Sequence, residues 1–429
     1  MIKYGESKKV NAFVYIELAS AIVSASCILC FIFLSLFVKG EGSYKLTIAH
    51  SEKKSRFAVI IPARNESVVI SDNLDAIRGS NYPKELCDIY VIVESMDDPT
   101  VEICRKYDGV YVFLRKDLSK VGKGHALDEC ISHIFAENDV YDAFMILDAD
   151  NVVSPDFLSK MSDAYQAGYD AACGKRNNKD WNDSAVSASS GLTFVIINDI
   201  QNKRRTARGM GITFTGTGFY VSCDILRRLG GWKFYSLTED YEFSTFAMCN
   251  RLKSCYVADA VYYDEQPRSW WQSIIQRTRW VKGYFSVRFG YRRMKKEYAK
   301  SCPHNKDILT MRLGTLPLLA LAITVICYFV SNCVGAIISA CIGYGWTHLF
   351  LIRLTSVLGL AYVGLMLFTA YLFRMEGENI KISGFNKLKT IIYNPIYLAS
   401  YVVAVVRVFF IKNRWEVIEH SLTKKTEEI

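Results

Sequence analysis

The stretch "YDAFMILDADN" (residues 141–151) decides the fold. Its apolar run stops abruptly in carboxylates, as a strand buried inside a parallel sheet does when it reaches a polar rim. Upstream, "RFAVIIPARNE" (56–66) is a short apolar run ended by proline. "DIYVIVESMDD" (88–98) runs into an acidic loop, and "VYVFLRK" (110–116) is a third strand. Between them, "SVVISDNLDAI" (67–77), "PTVEICRKY" (99–107) and "KGHALDECISHIF" (123–135) have helical spacing. Strands alternating with helices imply right-handed crossovers and a mostly parallel sheet with helices on both faces. Ligands of such sheets bind beyond the carboxyl ends of the strands. That rim gathers Arg64, Asn65 and Glu66, then Glu94, Asp97 and Asp98, then Asp148 and Asp150. Acids massed in this way repel one another unless something cationic joins them.

The rest of the chain points to a membrane. Its 429 residues are 51% hydrophobic with mean hydropathy +0.11, high for a soluble protein of this length. Asn11 to Val38 is nearly all apolar and exceeds the roughly 20 residues a helix needs to cross hydrocarbon. It lacks the short core and cleavage site of a secretory signal, so an uncleaved span is expected. Leu313–Tyr344, His348–Phe373 and Ile391–Ile411 are three further candidates. The expected division is an N-terminal span (1–38), a catalytic domain (39–267), amphipathic interface helices (268–312), a transmembrane bundle (313–411) and a polar tail (412–429).

Loop charge orients this arrangement, because Lys and Arg are retained on the cytoplasmic side. Lys39, Lys45, Lys53, Lys54 and Arg56 follow the first span, and Arg288, Arg292, Arg293, Lys295, Lys296, Lys300, Lys306 and Arg312 precede Leu313. A multi-pass plasma-membrane protein with a cytosolic domain is expected. Lys3, Lys8 and Lys9 then stand on the outer side, against the rule. Three spans after a cytosolic domain would also put the basic tail outside, unless 313–344 folds as a tight pair or 391–411 does not cross fully. Thirteen cysteines without paired spacing suit a reducing compartment. The net charge of +9 follows from clusters suited to anionic membrane lipids. No zinc module or base-reading motif points to nucleic acid, and no feature fixes an oligomeric state. Glu17, Arg353 and Arg407 are costly in lipid and should face protein or the interface.

Several motifs carry chemistry. In "LDADN", Asp148 and Asp150 lie on the same side of an extended segment, where they can hold Mg2+ or Mn2+; a turn with solvated acids has the same pattern. In "LTEDYEF", Glu239, Asp240 and Glu242 could equally be a solvated helix start with Thr238 as N-cap. "GTG" (216–218) lacks the lysine of a phosphate loop and reads as a turn permitting close backbone approach. His125, His133 and His304 have no ligand spacing. "IIQRTRWVKG" (274–283) mixes Gln276, Arg277, Arg279 and Trp280 with apolar residues, the composition of an amphipathic helix at a bilayer surface.

Taken together, "VIIPARNE", "GKGHALD", "LDADN", "GTGFYVS", "GGW", "LTEDYEF" and "QRTRW" stand in the order and approximate spacing of the processive family 2 membrane glycosyltransferases. That group includes cellulose, chitin-oligosaccharide, hyaluronan, poly-N-acetylglucosamine and some capsular polysaccharide synthases. The resemblance covers about Arg56 to Gly283 and implies a GT-A-type α/β domain embedded in a helical membrane protein. It implies that Pro62, Arg64, Glu66 and Glu94 border the uridine of a UDP-sugar, although the family usually has Asp at the last position. It places Lys123 and Asp148 at the nucleotide and its phosphates, and Asp150 on the metal, Mg2+ or Mn2+. Asp240, beside Glu239, would be the base that deprotonates the acceptor. Arg279 would meet the diphosphate, Trp280 the acceptor sugar, and Gln276 would order the site. Arg277 would be only an interfacial anchor, whose loss leaves most activity.

These roles agree with the chemistry. Sugar transfer from a nucleotide diphosphate develops negative charge on the departing diphosphate, which a metal and a guanidinium stabilise. A carboxylate takes the acceptor proton, and a single displacement inverts an α-linked donor to a β-linkage. The expected function is polymerisation of a β-linked extracellular or capsular polysaccharide, coupled to export. Transfer of one sugar to a membrane lipid is the alternative.

Overall fold

The computed structural model describes residues 48–137, 140–301, 307, 329–330, 332–337, 340–341 and 347–410. β1 (Phe57–Pro62), α1 (Ile70–Arg78), β2 (Cys87–Val93), α2 (Pro99–Cys104), β3 (Val110–Leu114), α3 (Lys123–Glu137) and β4 (Ala143–Ile146) alternate as the hydrophobic pattern requires. Asp98 caps α2 by accepting from the Thr100 amide, with Pro99 in its first turn. Beyond β4 come β5 (Val152–Val153), α4 (Phe157–Gln166), β6 (Ala171–Asn178), α5 (Ala185–Val195), β7 (Phe219–Ser222), α6 (Cys223–Leu229), α7 (Glu239–Cys249) and β8 (Ser254–Asp264). The helices α8 (Trp270–Gly290), α9 (Arg292–Ser301), α10 (Thr347–Glu376) and α11 (Gly384–Val408) follow.

The strands form one sheet in the order β3-β2-β1-β4-β7-β6-β8-β5. β1 pairs in parallel with β2 and β4, as expected. The sheet as a whole is mixed, which corrects the mostly parallel reading: β7 is antiparallel to β4 and β6, and β5 to β8. The pattern could not show this, because β7 is four residues long and emerges from the Gly216–Gly218 turn rather than from a crossover helix. Alternation along β1 explains the continuous apolar run. Phe57, Val59 and Ile61 pack with Leu74, Phe157 and Met161 under α1 and α4. Ala58 and Ile60 pack with Leu127, Ile131, Trp232 and Phe243 under α3 and α7. Each large side chain so buried contributes ~1.5–3 kcal/mol.

The chain divides into two compact units, Met1–Tyr44 with Ile308–Ala370, and Lys45–Asp307 with Tyr371–Ile429. In the second unit, α11 packs on α8 and α5. It begins well before the expected Ile391, because Ser383 caps it by accepting from the Asn386 amide; Lys387 and Lys389 fall inside the helix and hide its first turns from hydropathy. Its buried face carries Thr390, Asn394, Tyr397 and Ser400, while Leu388, Ile392, Ile396, Val402 and Val406 are exposed. Such an inside-out distribution suits an apolar solvent. Leu354–Asn379 and Gly384–Val408 are both long and apolar enough to cross a membrane. The expected first span with Glu17, most of 313–344, His304 and the tail lie outside the described residues.

Candidate active site

Three carboxylates meet at the rim. The chain leaves β4 with the Asp148 amide donating to Asn151 Oδ1 (3.0 Å) and Thr217 Oγ1 (2.8 Å), while Asn73 donates to the Asp148 carbonyl (2.7 Å). Asp150 is buried, and its Oδ2 accepts from the Glu265 amide at 3.1 Å. Asn151 Nδ2 bridges Asp264 Oδ1 (2.8 Å) and Asp150 Oδ1 (3.3 Å). Carboxylate oxygens of Asp148, Asp150 and Asp264 lie within 4.8 Å of one another. Burial pushes Asp264 up to about 7; Arg176 opposes the shift, and Asp150 and Asp148 add to it. Arg176 grips Asp264 Oδ2 through two nitrogens, Nε at 2.9 Å. Three oxygen donors with converging negative charge fit a hard divalent cation such as Mg2+ or Mn2+. Lys123, at the start of α3, is ion-paired with Asp148 and donates to the Gly216 carbonyl at 2.7 Å. Gly216 has φ 87°, and the Gly218 position abuts the Tyr262 ring so closely that no side chain fits. The close approach expected of "GTG" is real.

The second contributor is the start of α7. Thr238 occupies the N-cap but makes no side-chain capping bond, and Glu239 is only 7% exposed. The solvated-helix-start reading is therefore corrected for Glu239, while Asp240 and Glu242 are half-buried. Phe243, locked among Phe214, Phe219, Trp232 and Phe234, pulls the first turn inward. Burial pushes Glu239 up to about 7; the adjacent Asp240 charge adds to this, and Lys123 and Arg279 oppose it. Burial also raises Asp240, restrained by the Tyr241 amide, Lys123 and Arg279. Glu242 is occupied elsewhere, accepting from the Ser236 amide (2.8 Å) and the Tyr291 hydroxyl (3.0 Å).

The third contributor is α8, started by a capping box between Ser269 and Gln272. Arg279 is half-buried. Burial disfavours its charge, and Glu239, Asp148 and Asp240 favour it. The Trp280 ring meets Phe194 edge-on at 6.0 Å, and Phe194 in turn lies under the Arg176 guanidinium at 3.9 Å. Gln276 is half-buried on the same helix. Arg277 is no interfacial anchor: it is 1% exposed and lies between α8 and α11.

Comparison with known proteins then decides the class. Residues 55–283 match the family described as glycosyltransferase like family 2. The chain belongs to that family. It is 29% identical to the probable glycosyltransferase YdaM of Bacillus subtilis, over 53% of this chain and 55% of that one. It is 24% identical to the beta-monoglucosyldiacylglycerol synthase of Trichormus variabilis, over 54% of this chain and 50% of that one. The chain thus spans about half the length of the curated relatives it matches. Its fold resembles that of the mannosyltransferase PcManGT from Pyrobaculum calidifontis, solved with GDP-Man and Mn2+, with TM-score 0.60 and 16% identity over 93% of this chain and 99% of that one.

In this family 2 glycosyltransferase, Pro62, Arg64, Glu66 and Glu94 form a separate group at the ends of β1 and β2. Because β1 lies between β2 and β4, they share the rim with Asp148. Glu94 is held by Arg64 Nε (3.2 Å) and Arg115 Nη1 (3.1 Å). The Glu66 amide donates to Thr100 Oγ1 at 3.0 Å, and Asn65, at φ 57°, donates to Asp98. A cavity of about 550 Å³ on the outer side of α3, lined by Lys120, His125, Asp128 and Tyr235, contains none of the expected residues. His125 stacks on Tyr235 there, as a packed histidine rather than a ligand. Arg115, Arg176 and Asp264 were missed by sequence reasoning. Asp264 had a signal, since "SCYVADAVYYDEQP" is another apolar strand ending in an acid.

Proposed function

We propose that this enzyme transfers a sugar, with inversion, from a UDP-sugar to a growing β-linked polysaccharide, acting at the cytosolic face of the plasma membrane. The observation that carries the reading is that Asp240 and Arg279, from two different helices, face one another beside the Lys123–Asp148 ion pair at the edge of the acid cluster. Asp240 accepts the proton of the acceptor hydroxyl as that oxygen bonds to the anomeric carbon; the bond from that carbon to the diphosphate oxygen breaks, and UDP leaves. Asp150, with Asp148 and Asp264, would hold Mg2+ or Mn2+, which when bound would neutralise charge on the diphosphate. Arg279 and Lys123 face the phosphates, and Pro62, Arg64, Glu66 and Glu94 border the nucleoside. Trp280 and Gln276 border the acceptor. Export of the polymer through the enzyme's own spans belongs to the same proposal.

A lipid acceptor is the second reading, favoured by the likeness to a glucosyldiacylglycerol synthase. Purified protein incubated with each UDP-sugar, singly and in pairs, tests both: polymer on a sizing gel supports the first, and a single low-mass glycolipid overturns it. Chelation with EDTA should abolish UDP release, and added Mg2+ or Mn2+ should restore it. Asp264→Asn should raise the metal concentration for half-maximal rate by at least ~10–100-fold, the loss typical of weakening a metal site.

The paired acids make a pH prediction. Burial raises both acids, and the neighbouring Asp240 charge helps Glu239 keep its proton until about pH 7. Below that pH Glu239→Gln replaces a carboxyl that burial already keeps protonated, so it should stay within about tenfold of the wild-type kcat (~1.4 kcal/mol). Its rate profile should lose the inflection near pH 7. A loss as deep as that of Asp240→Asn would make Glu239 the base instead.

A further inference from the structure

The two arginines of "QRTRW" do different work because a helix advances about 100° per residue, so side chains two apart leave it on nearly opposite sides. Arg279 lies within electrostatic reach of Glu239, Asp148 and Asp240. Arg277 turns toward α11. There its guanidinium lies 3.6 Å from the Tyr397 ring centre and 4.2 Å from that of Tyr401. Its Nη1 donates to the Tyr397 carbonyl at 3.1 Å and to Ser400 Oγ. Ser400 Oγ itself donates to the Tyr397 carbonyl at 2.5 Å, and Ser273, one turn earlier on α8, donates to the Tyr397 hydroxyl at 3.3 Å.

Adhesion alone would not select this arrangement. An alanine or leucine would fill a helix–helix seam without the cost of desolvating a guanidinium. What a flat, forked cation adds is direction: it stacks in one plane and donates along fixed axes. Wedged against two tyrosines and bonded to α11 through Nη1, it favours one rotation of α8 about its own axis. Because α8 is continuous from Trp270 to Gly290, that rotation also sets where Arg279 and Trp280 point.

We propose that Arg277 is a positioning residue, which through its seat on Tyr397, Ser400 and Tyr401 fixes the rotation of α8 and so aims Arg279 and Trp280 at the acid cluster. The inference rests on the role given above to Arg279. It makes α11 part of the catalytic apparatus, although none of the proposed site residues lies on it.

The test is a double-mutant cycle on the full chain in detergent or nanodiscs, reading kcat for UDP release from protein that elutes as a single folded species. Arg279→Lys, expected to keep measurable activity because it keeps the charge, is made in the wild type, in Arg277→Ala and in Tyr401→Leu. Arg277→Ala is expected to lower kcat about 10–100-fold and Tyr401→Leu about 3–10-fold, and in both backgrounds the further loss from Arg279→Lys should shrink, because neighbours acting through one element are not additive. Should Arg277→Ala fail to fold, Tyr401→Leu carries the cycle. An Arg279→Lys penalty of the same size in every background overturns the positioning role, since a merely stabilising residue would leave it unchanged. If Arg279→Ala retains full activity, the transfer mechanism itself fails and the inference falls with it; if Arg279→Ala is inactive and the cycle is additive, the inference alone fails.

Discussion

Asp240→Asn is expected to lower kcat for sugar transfer by about 10²–10⁴-fold, the range general-base catalysis supplies. The substitution is nearly isosteric, so the turn should survive it: Ser244 bonds the residue's carbonyl (2.7 Å), not its carboxylate. What disappears is the acceptor of the proton. Asparagine cannot take it, and Glu239, protonated up to about pH 7 by its own burial, is a poor substitute below that pH. Donor binding should change little, because the Asp148–Asp150–Asp264 cluster and the Glu94 group are untouched. Isothermal titration with UDP alongside single-turnover transfer separates the two quantities. Full transfer by the asparagine variant, with UDP bound normally, would remove Asp240 from the chemistry and leave the site as a nucleotide-binding rim.

How far the sequence reaches can be read from particular residues. "LDADN" revealed both a strand and two of three clustered acids, because a buried strand and its polar end are contiguous. Asp264 closes the cluster from 113 positions beyond Asn151, and only folding brings it there. The direction of β7 was hidden for a related reason: pattern reports what a strand buries, and pairing direction depends on a connection made elsewhere. Glu239 and Asp240 look like any acidic helix start until Phe243 and its aromatic neighbours draw the turn inside. Arg277 was misread as an anchor because arginine beside tryptophan at a bilayer surface is a sound local reading. The tyrosines that contradict it lie about 120 residues downstream, inside a segment that hydropathy could describe only as apolar.

Arg279→Ala should be at least as damaging, about 10³-fold or more in kcat, between the loss of one preorganised donor and that of a catalytic arginine in phosphoryl transfer. Two effects add. The departing diphosphate loses a guanidinium fork that can meet two oxygens at once, and the site loses a cation that Glu239, Asp148 and Asp240 now face. With that charge gone, the acids repel each other and the incoming diphosphate more strongly, so UDP affinity should fall together with kcat. This pairing distinguishes the variant from Asp240→Asn, in which kcat falls alone. Arg279→Lys keeps the charge without the fork and should recover part of both. Free guanidinium added to Arg279→Ala should restore some turnover, because the half-buried space left behind has the shape and polarity of the missing group. Rescue by guanidinium but not by raised Mg2+ would assign the role to that fork at the leaving group. Rescue by Mg2+ alone would mean that any positive charge suffices, and that the helix carrying Arg279 need not be aimed at all.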